Sequence, residues 1–317
     1  MGGDDGPGTI IDGALVAARH LQIGLLLAGD KSLIERELSR HPGAGALDID
    51  ILDTPEYVDM AEPAAAALRR KPRASIRVAA EAVRDGQAAA LFSAGHTGAS
   101  VMAAIGTFGR LPGIERPALA TIFPTRHEPA VLLDSGAMVE CRPQHLVQFA
   151  IMGAAYARVA FDRREPRVGL LSIGEEEAKG NELTKEAHQL LKNTPLNFVG
   201  NVEGRDIFSG RVDVVVCDGF TGNVILKTSE GLVETIEALL QAELQATFGS
   251  QIGYLLSAKA FRRFRKRVDY SEFGGAPLLG VNGICIVGHG RSSAKAVRNA
   301  VTMAARAVEE GLLEKLA

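Results

Sequence analysis

The chain has 317 residues, 46% of them hydrophobic, and a formal net charge of -3. That length allows one large domain or two modest ones with a full core, and the near-neutral charge argues against a general nucleic-acid binder. No apolar run approaches the ~18 residues of a membrane-spanning helix, the opening residues do not read as a signal peptide, and three scattered cysteines fit reduced, mostly buried thiols better than a disulfide framework or zinc site.

In chain order, Met1 to Pro7 is a glycine turn, with Gly3 and Asp4 at its centre, leading into a helix from about Thr9 to His20. A turn of this kind normally follows a strand. Ile23 to Ala28 is an expected strand, and Asp30 an expected cap for the next helix. Leu47 to Leu52 is a strand ending in the turn Asp53-Thr54-Pro55-Glu56, and Ser75 is expected to cap a helix to about Arg84. After the strand Ala88 to Phe92 comes a glycine loop, Ser93-Ala94-Gly95-His96-Thr97-Gly98, and then a helix. Strands are expected at Leu119 to Phe123 and Val131 to Leu133, the second leading into the loop Asp134-Ser135-Gly136-Ala137. Pro143 opens a helix to about Ala160, as proline does at a first turn. Val168 to Ile173 is a strand, followed by a loop holding Lys179 and Asn181 and a helix to Lys192. Phe198 to Val202 is a strand ending in Glu203-Gly204-Arg205-Asp206. A helical region runs from about Gly222 to Val268, and Gly274-Gly275-Ala276-Pro277 marks its end. Ile284 to Val287 is the last strand, and the loop from Gly288 to Ser293, with His289 and Ser292, leads into a helix to about Glu310.

Strands and helices alternate throughout, so the expected fold is α/β, a mostly parallel sheet with helices on both faces. The expectation is one domain over 1–317, with a helical excursion at 232–272 that makes a dimer or membrane contact. Its most informative stretch is Val212 to Gly231: a β-branched run, then Asp218, Gly219, Phe220, Thr221, Gly222 and Asn223, then apolar residues at helical spacing. Such a loop lies at the carboxyl end of a strand, where open α/β sheets bind ligands. Glycine lets backbone N–H groups approach an anion, and a helix start favours one, although an ordinary strand-to-helix turn has the same pattern. Five or more such loops are expected to gather at one edge of the sheet. Lys179, Asn181, Arg205, Asn223 and Lys227 are the groups to aim at a phosphate, each also readable as a surface charge or turn residue. His96 and His289 sit on glycine loops as acid/base candidates or as loop-packing and capping residues. There is no Walker-type phosphate loop, no G-x-G-x-x-G after the first strand, and no G-x-S-x-G elbow.

The segment from Ile252 to Val268 differs in character. Tyr254, Leu255 and Leu256 belong to an apolar tip, followed by Lys259, Arg262, Arg263, Arg265, Lys266 and Arg267. An apolar tip beside a cationic face suits an interfacial helix on anionic lipid, an acidic protein partner, or a solvated face at a dimer contact.

With these residues laid out, the chain closely resembles the bacterial phosphate acyltransferases that use acyl-acyl carrier protein. The resemblance rests on MGGD (1–4), DTPE (53–56), SAGHTGA (93–99), RPALAT (116–121), LVQFAIMG (146–153), GEEEAKGNELTKEA (174–187), NFVGNVEGRD (197–206), DVVVCDGFTGNVILKTSEG (213–231) and YSEFGGAPLLGVNG (270–283). It implies transfer of an acyl group from acyl carrier protein to inorganic phosphate, giving acyl phosphate and free carrier, in phospholipid synthesis, with no cofactor. It also implies an isocitrate/isopropylmalate dehydrogenase-like fold and a homodimer. The expected location is cytoplasmic, peripherally on the inner face of the cell membrane near the glycerol-3-phosphate acyltransferase that takes the product. The family usually has Asn where His96 and Met138 stand, and it begins with a strand before MGGD, so a start further upstream is expected. From the chemistry of the loops, Lys179, Lys227 and His289 are the expected catalytic residues, with His289, if it acts, tuning proton transfer. Gly3, Asp4, Gly95, His96, Thr97, Gly98, Asn181, Glu203, Gly204, Arg205, Asp218, Gly219, Thr221, Gly222, Asn223 and Ser292 are expected to bind substrate. The segments Gly95–Gly98 and Gly219–Asn223 are expected to supply N–H donors. The alternatives are a phosphotransacylase using acyl-coenzyme A, or a non-catalytic membrane-associated scaffold that docks carrier protein.

Overall fold

The apolar runs become short inner strands, and most of the loops after them open directly into helices. A computed structural model of the chain describes residues 2–4, 6–268 and 273–316. Met1 of the MGGD motif, residues 269–272 at the end of the expected excursion, Tyr270 among them, and the side chain of Arg265 lie outside the described residues.

The first third contains α1 (Gly6–Leu21), β1 (Leu25–Gly29), α2 (Lys31–Leu38), β2 (Ile49–Asp53), α3 (Ala64–Arg70), α4 (Ser75–Arg84), β3 (Ala90–Ser93) and α5 (Thr97–Phe108). Then come β4 (Ala118–Leu119), β5 (Thr121–Phe123), β6 (Ala130–Leu133), α6 (Pro143–Phe161), β7 (Arg167–Leu171), α7 (Glu182–Lys192), β8 (Asn197–Val202) and β9 (Val214–Val216). The chain finishes with α8 (Gly219–Ala246), α9 (Phe248–Val268), β10 (Ala276–Leu279), β11 (Ile284–Val287), α10 (Ala294–Glu309) and α11 (Leu312–Leu316). Asp30 caps α2 as expected, its side chain accepting from the Leu33 N–H. Ser75 does not cap α4: Ala74 holds that place and Ser75 is the first helical residue. The expected continuous helical region is two helices, because Thr247 takes an extended backbone between α8 and α9. Strand β10 was not expected, since Pro277 and four residues without periodicity carry no strand signal; pairing with β11 and β4 creates it.

Among the described residues, parallel pairings dominate: β1 with β2, β3 with β11, and the series β6, β9, β7, β8. Val214, Val215 and Val216 are 0% exposed, the state expected of a parallel strand covered on both faces. Helix α6 lays Phe149, Met152 and Tyr156 into the main core formed with β6, β7 and β9. Antiparallel pairs join the halves. β10 pairs with both β11 and β4, and β5 pairs with β6. Strands β4 and β5 are one segment interrupted at Ala120 and keep the direction of β3 and β11; the antiparallel β5–β6 pair reverses it, so β6, β9, β7 and β8 run opposite.

Strands β1 and β3 are not paired with each other. Between them lies a cavity of ≈ 670 Å³, lined by every residue from 23 to 28 and from 87 to 96, but only by alternate residues of the β2 stretch, Asp48, Asp50 and Leu52. Consecutive lining residues mark a strand edge and alternate ones a strand face, so two open backbone edges confront each other. Gly2 and Gly3 line the same cavity, and an added Cβ on Gly3 would lie 3.0 Å from the Ala94 carbonyl just past β3. An extended segment placed ahead of Gly2 is expected to enter the gap alongside β3. A five-residue Val/Ile extension is expected to raise Tm by about 4 °C or more, from a net ~2–4 kcal/mol of burial and pairing after the ordering cost. A Gly/Ser extension of equal length is the control in a thermal melt, and equal Tm values would reject the pairing.

Candidate functional site

The reversal between β5 and β6 changes where the loops meet. The end of β11 pairs with Ala276, while the Ala120 N–H bonds to Pro277 and the Ser135 N–H to Leu119. The carboxyl ends of β11 and of β6 thus reach the same level from opposite directions. The expected single rim is corrected: two sets of strands point their carboxyl ends at one another across a cleft.

On one side, the turn Gly2–Asp4 packs against the loops after β3 and β11. The Asp4 N–H donates to the Gly290 carbonyl at 2.9 Å, and the Gly288 N–H donates to that of Ser93 at 2.7 Å. Arg291 Nε lies 3.8 Å from Asp4 Oδ2. Ser292 is buried, and its hydroxyl oxygen accepts from the His289 N–H. From the other side comes α8. Lys227 Nζ lies 2.6 Å from His289 Nε2 and donates to Glu230 Oε2 at 2.8 Å. Burial and the neighbouring Lys227 charge hold the His289 imidazole below its ordinary pKa, which favours the neutral ring. With its proton on Nδ1, that neutral ring can accept at Nε2 from the Lys227 ammonium, at the expense of the 3.3 Å approach of the Arg291 N–H to Nδ1. Lys227 and His289, two of the three expected catalytic residues, are thus brought together, 62 residues apart in sequence.

The start of α8 is held by Asp134, which is fully buried. Its Oδ1 accepts from the N–H groups of Leu119, Gly136 and Ala137, and its Oδ2 from that of Met138. Burial pushes this carboxyl up, and the four donors oppose that push. The Met138 carbonyl then accepts from the Gly219 N–H at 2.9 Å. Asp134 was legible only as a turn residue; its hub role depends on Leu119, which is remote in sequence.

Several of the expected N–H donors are already engaged within the fold. Gly219 bonds to Met138, Thr221 N–H to Asp218 Oδ1, and Gly222 N–H to the Asp218 carbonyl. Asp218 is the N-cap of α8, and Thr221 also gives it its hydroxyl. Helix begins too soon after β9 to leave these groups free. An added Cβ on Gly222 would lie 1.9 Å from the Asp134 carbonyl oxygen, so the glycine serves close packing. Asn223 is exposed beside Gly136, in the cleft.

His96 is likewise engaged. It is the N-cap of α5, with Nδ1 accepting from the Ala99 N–H at 3.3 Å and Nε2 3.1 Å from the Glu62 carbonyl. This is the cap role a short Asn performs elsewhere, and it leaves neither ring nitrogen for proton transfer. Gly95 donates to Ser93 Oγ, while Thr97 and Gly98 form the first turn of α5.

Lys179, Asn181, Glu203, Gly204 and Arg205 follow β7 and β8, on the same edge as the loop after β9. Their bonds stay local. Asn181 caps α7 through Thr184, Arg205 pairs with Glu203 at 2.6 Å, and Lys179 is an exposed side chain. Glu230 was missed by the sequence reading, although its i,i+3 spacing from Lys227 in KTSEG is a usable signal. Burial pushes the thiols of Cys141 and Cys285 up to about 11 and about 12, and that of Cys217 well up, so none is held as a thiolate.

Residues 1–315 match the family model described as "Fatty acid synthesis protein". The chain is 52% identical over its full length to the phosphate acyltransferase of Nitratidesulfovibrio vulgaris, covering 92% of that protein. It is 50% identical over its full length to that of Geobacter sulfurreducens, covering 91% of it. Among solved structures, a phosphotransacetylase from Streptococcus pyogenes aligns with TM-score 0.59 at 20% identity, over 94% of this chain and 91% of that one. The 4-hydroxythreonine-4-phosphate dehydrogenase of Klebsiella pneumoniae aligns with TM-score 0.53 at 12% identity, over 95% of each chain. These two likenesses concern the fold, and they agree with the expected dehydrogenase-like α/β class.

Proposed function

The chain belongs to the family of fatty acid synthesis proteins and is a phosphate acyltransferase, and we propose that its acyl donor is the thioester of an acyl carrier protein. On this reading inorganic phosphate attacks the thioester carbonyl, and the carrier leaves as a thiol with acyl phosphate as the other product.

The chemistry asks little of side chains as acids or bases. Phosphate is substantially ionised at neutral pH, with a second pKa near ~6–7 by analogy to phosphoesters, and a thiolate with a parent pKa near ~8.5 is a competent leaving group. What remains is to hold two substrates together, worth roughly 7–11 kcal/mol, and to offset charge on phosphate and the tetrahedral oxyanion. The observation that carries the reading is the Lys227–His289 contact across the cleft, which sets an ammonium where the two halves meet. Asn223, Gly3 and Asp4 border the same cleft. Lys179 and Arg205, with the neutral amide of Asn181, enter the proposal as a second approach to phosphate from the β7 and β8 side. The test is release of free carrier thiol from acyl-carrier protein on addition of phosphate to purified protein. Release without phosphate, or none with it, rejects the reading. Faster turnover of acyl-coenzyme A than of the carrier-bound acyl group would favour the coenzyme A alternative.

Helices α8 and α9 support the proposed membrane and dimer contacts. Leu232, Ile236 and Leu239 form an exposed apolar row on α8. On α9, Leu255 and Leu256 are 75% and 82% exposed, and Lys259, Arg262 and Arg263 are exposed in the turns that follow. No helix among the described residues is long and apolar enough to cross a membrane. An apolar tip with adjacent cations fits an anionic bilayer surface, at ~1 kcal/mol per basic residue. Replacing Lys259, Arg262 and Arg263 by Glu is expected to reduce sedimentation with anionic liposomes at least tenfold at low salt. Unchanged sedimentation would reject the membrane role. We also infer a homodimer, with the α8 row as its contact, working beside the glycerol-3-phosphate acyltransferase that consumes the product.

A further inference from the structure

Glu230 is the one acidic side chain in contact with the Lys227–His289 pair among the described residues. Its carboxylate lies one helical turn after Lys227 on α8, is only 15% exposed, and sits 2.8 Å from Lys227 Nζ and 3.9 Å from His289 Nε2. Lys227 itself is 46% exposed. A half-exposed lysine on a helix surface ordinarily samples many rotamers, at a side-chain entropy of ~2 kcal/mol. Two partners at bonding distance remove that freedom.

We propose that Glu230 is a positioning residue for phosphate capture. This rests on the reading of Lys227 as the phosphate-facing cation. An ammonium has three N–H donors. Glu230 takes one and the neutral His289 ring, in the tautomer protonated at Nδ1, takes the second at Nε2, so the third is left at a fixed angle for an anion in the cleft. Glu230 acts on His289 as well as on Lys227. The charged groups that face the imidazole are Lys227 and Glu230 from α8, Arg291 from its own loop and Asp4 from the N-terminal turn. Lys227 and Arg291 disfavour the protonated ring, and Glu230 and Asp4 favour it. Without the Glu230 charge, the ring stays neutral to lower pH.

Three variants test the assignment. Glu230→Ala removes both the acceptor and the charge, and is expected to raise KM for inorganic phosphate about tenfold with KM for the acyl donor within twofold. Glu230→Gln keeps an acceptor for Lys227, and is expected to restore KM for phosphate to within about threefold of the parent. It should also move the acid limb of the rate profile to lower pH. A residue that only braces α8 would change both KM values alike and leave the pH profile in place. Wild-type KM for phosphate in Glu230→Ala, or an unmoved acid limb in Glu230→Gln, overturns the proposal. Lys227→Ala run alongside separates the two levels. If it too is wild-type, the reading of Lys227 fails; if it alone is impaired, only the role of Glu230 fails.

Discussion

Lys227→Ala is expected to lower kcat/KM for phosphate at least tenfold while the protein keeps its Tm within a few degrees. Hydrogen bonds to charged groups contribute about 1.5–3 kcal/mol, which converts to roughly 10- to 150-fold in rate or affinity. The fold should tolerate the change, because Lys227 is half-exposed and Glu230, though mostly buried, keeps His289 3.9 Å away as a partner. Steady-state kinetics with phosphate varied at saturating acyl donor is the decisive measurement. A rise in KM alone means that Lys227 holds phosphate equally in ground and transition states, and a fall in kcat means that it acts mainly on the developing oxyanion. Kinetics within twofold of the parent remove Lys227 from the site. The removal would also empty the cross-cleft contact of catalytic meaning.

Gly222→Ala is expected to be the most damaging small substitution in the cleft. Its new methyl group would sit 1.9 Å from the Asp134 carbonyl oxygen and 3.0 Å from Cys217 Sγ. The first obstacle is backbone, so no rotamer change relieves it. Helix α8 must shift away from the loop after β6, and that loop is pinned by four N–H bonds to the Asp134 side chain. Overpacking of this kind costs about 3 kcal/mol or more. At ~2 °C or more per kcal/mol, Tm should fall by at least about 6 °C. Activity should fall further than stability requires, because moving α8 withdraws Lys227 from His289. Gly231→Ala is the matched control: nothing lies within 4 Å of the site its Cβ would occupy. Equal melting temperatures for the two variants would contradict the packing of Gly222 against Asp134.

Most of the element order was legible in the sequence because short β-branched runs, glycine loops and capping residues are local signals. The run before Asp218 is a buried parallel strand, Asp30 and Pro143 open helices as expected, and the strand Ile284–Val287 has the expected bounds. The motifs also carried the family, since they extend over the whole chain. Strand β10 escaped notice because its stability comes from two neighbours rather than from its own residues.

The same residues could not say which polar groups share a site. A glycine loop with Asn, His or Asp reads identically whether its N–H groups face a ligand or close a cap. Asp218, His96 and Asn181 all turned out to cap helices, since each helix begins at the next residue. Nor could periodicity show that strand direction reverses between β5 and β6, because antiparallel pairing is a relation between two strands and not a pattern within either one. Composition and local pattern therefore determined the α/β class and the element order, and the resemblance of the motifs pointed to the family. Tertiary structure alone decided that two opposed sets of strand ends form one cleft, and that Lys227, Glu230 and His289 meet in it, because contacts between remote segments leave no local trace.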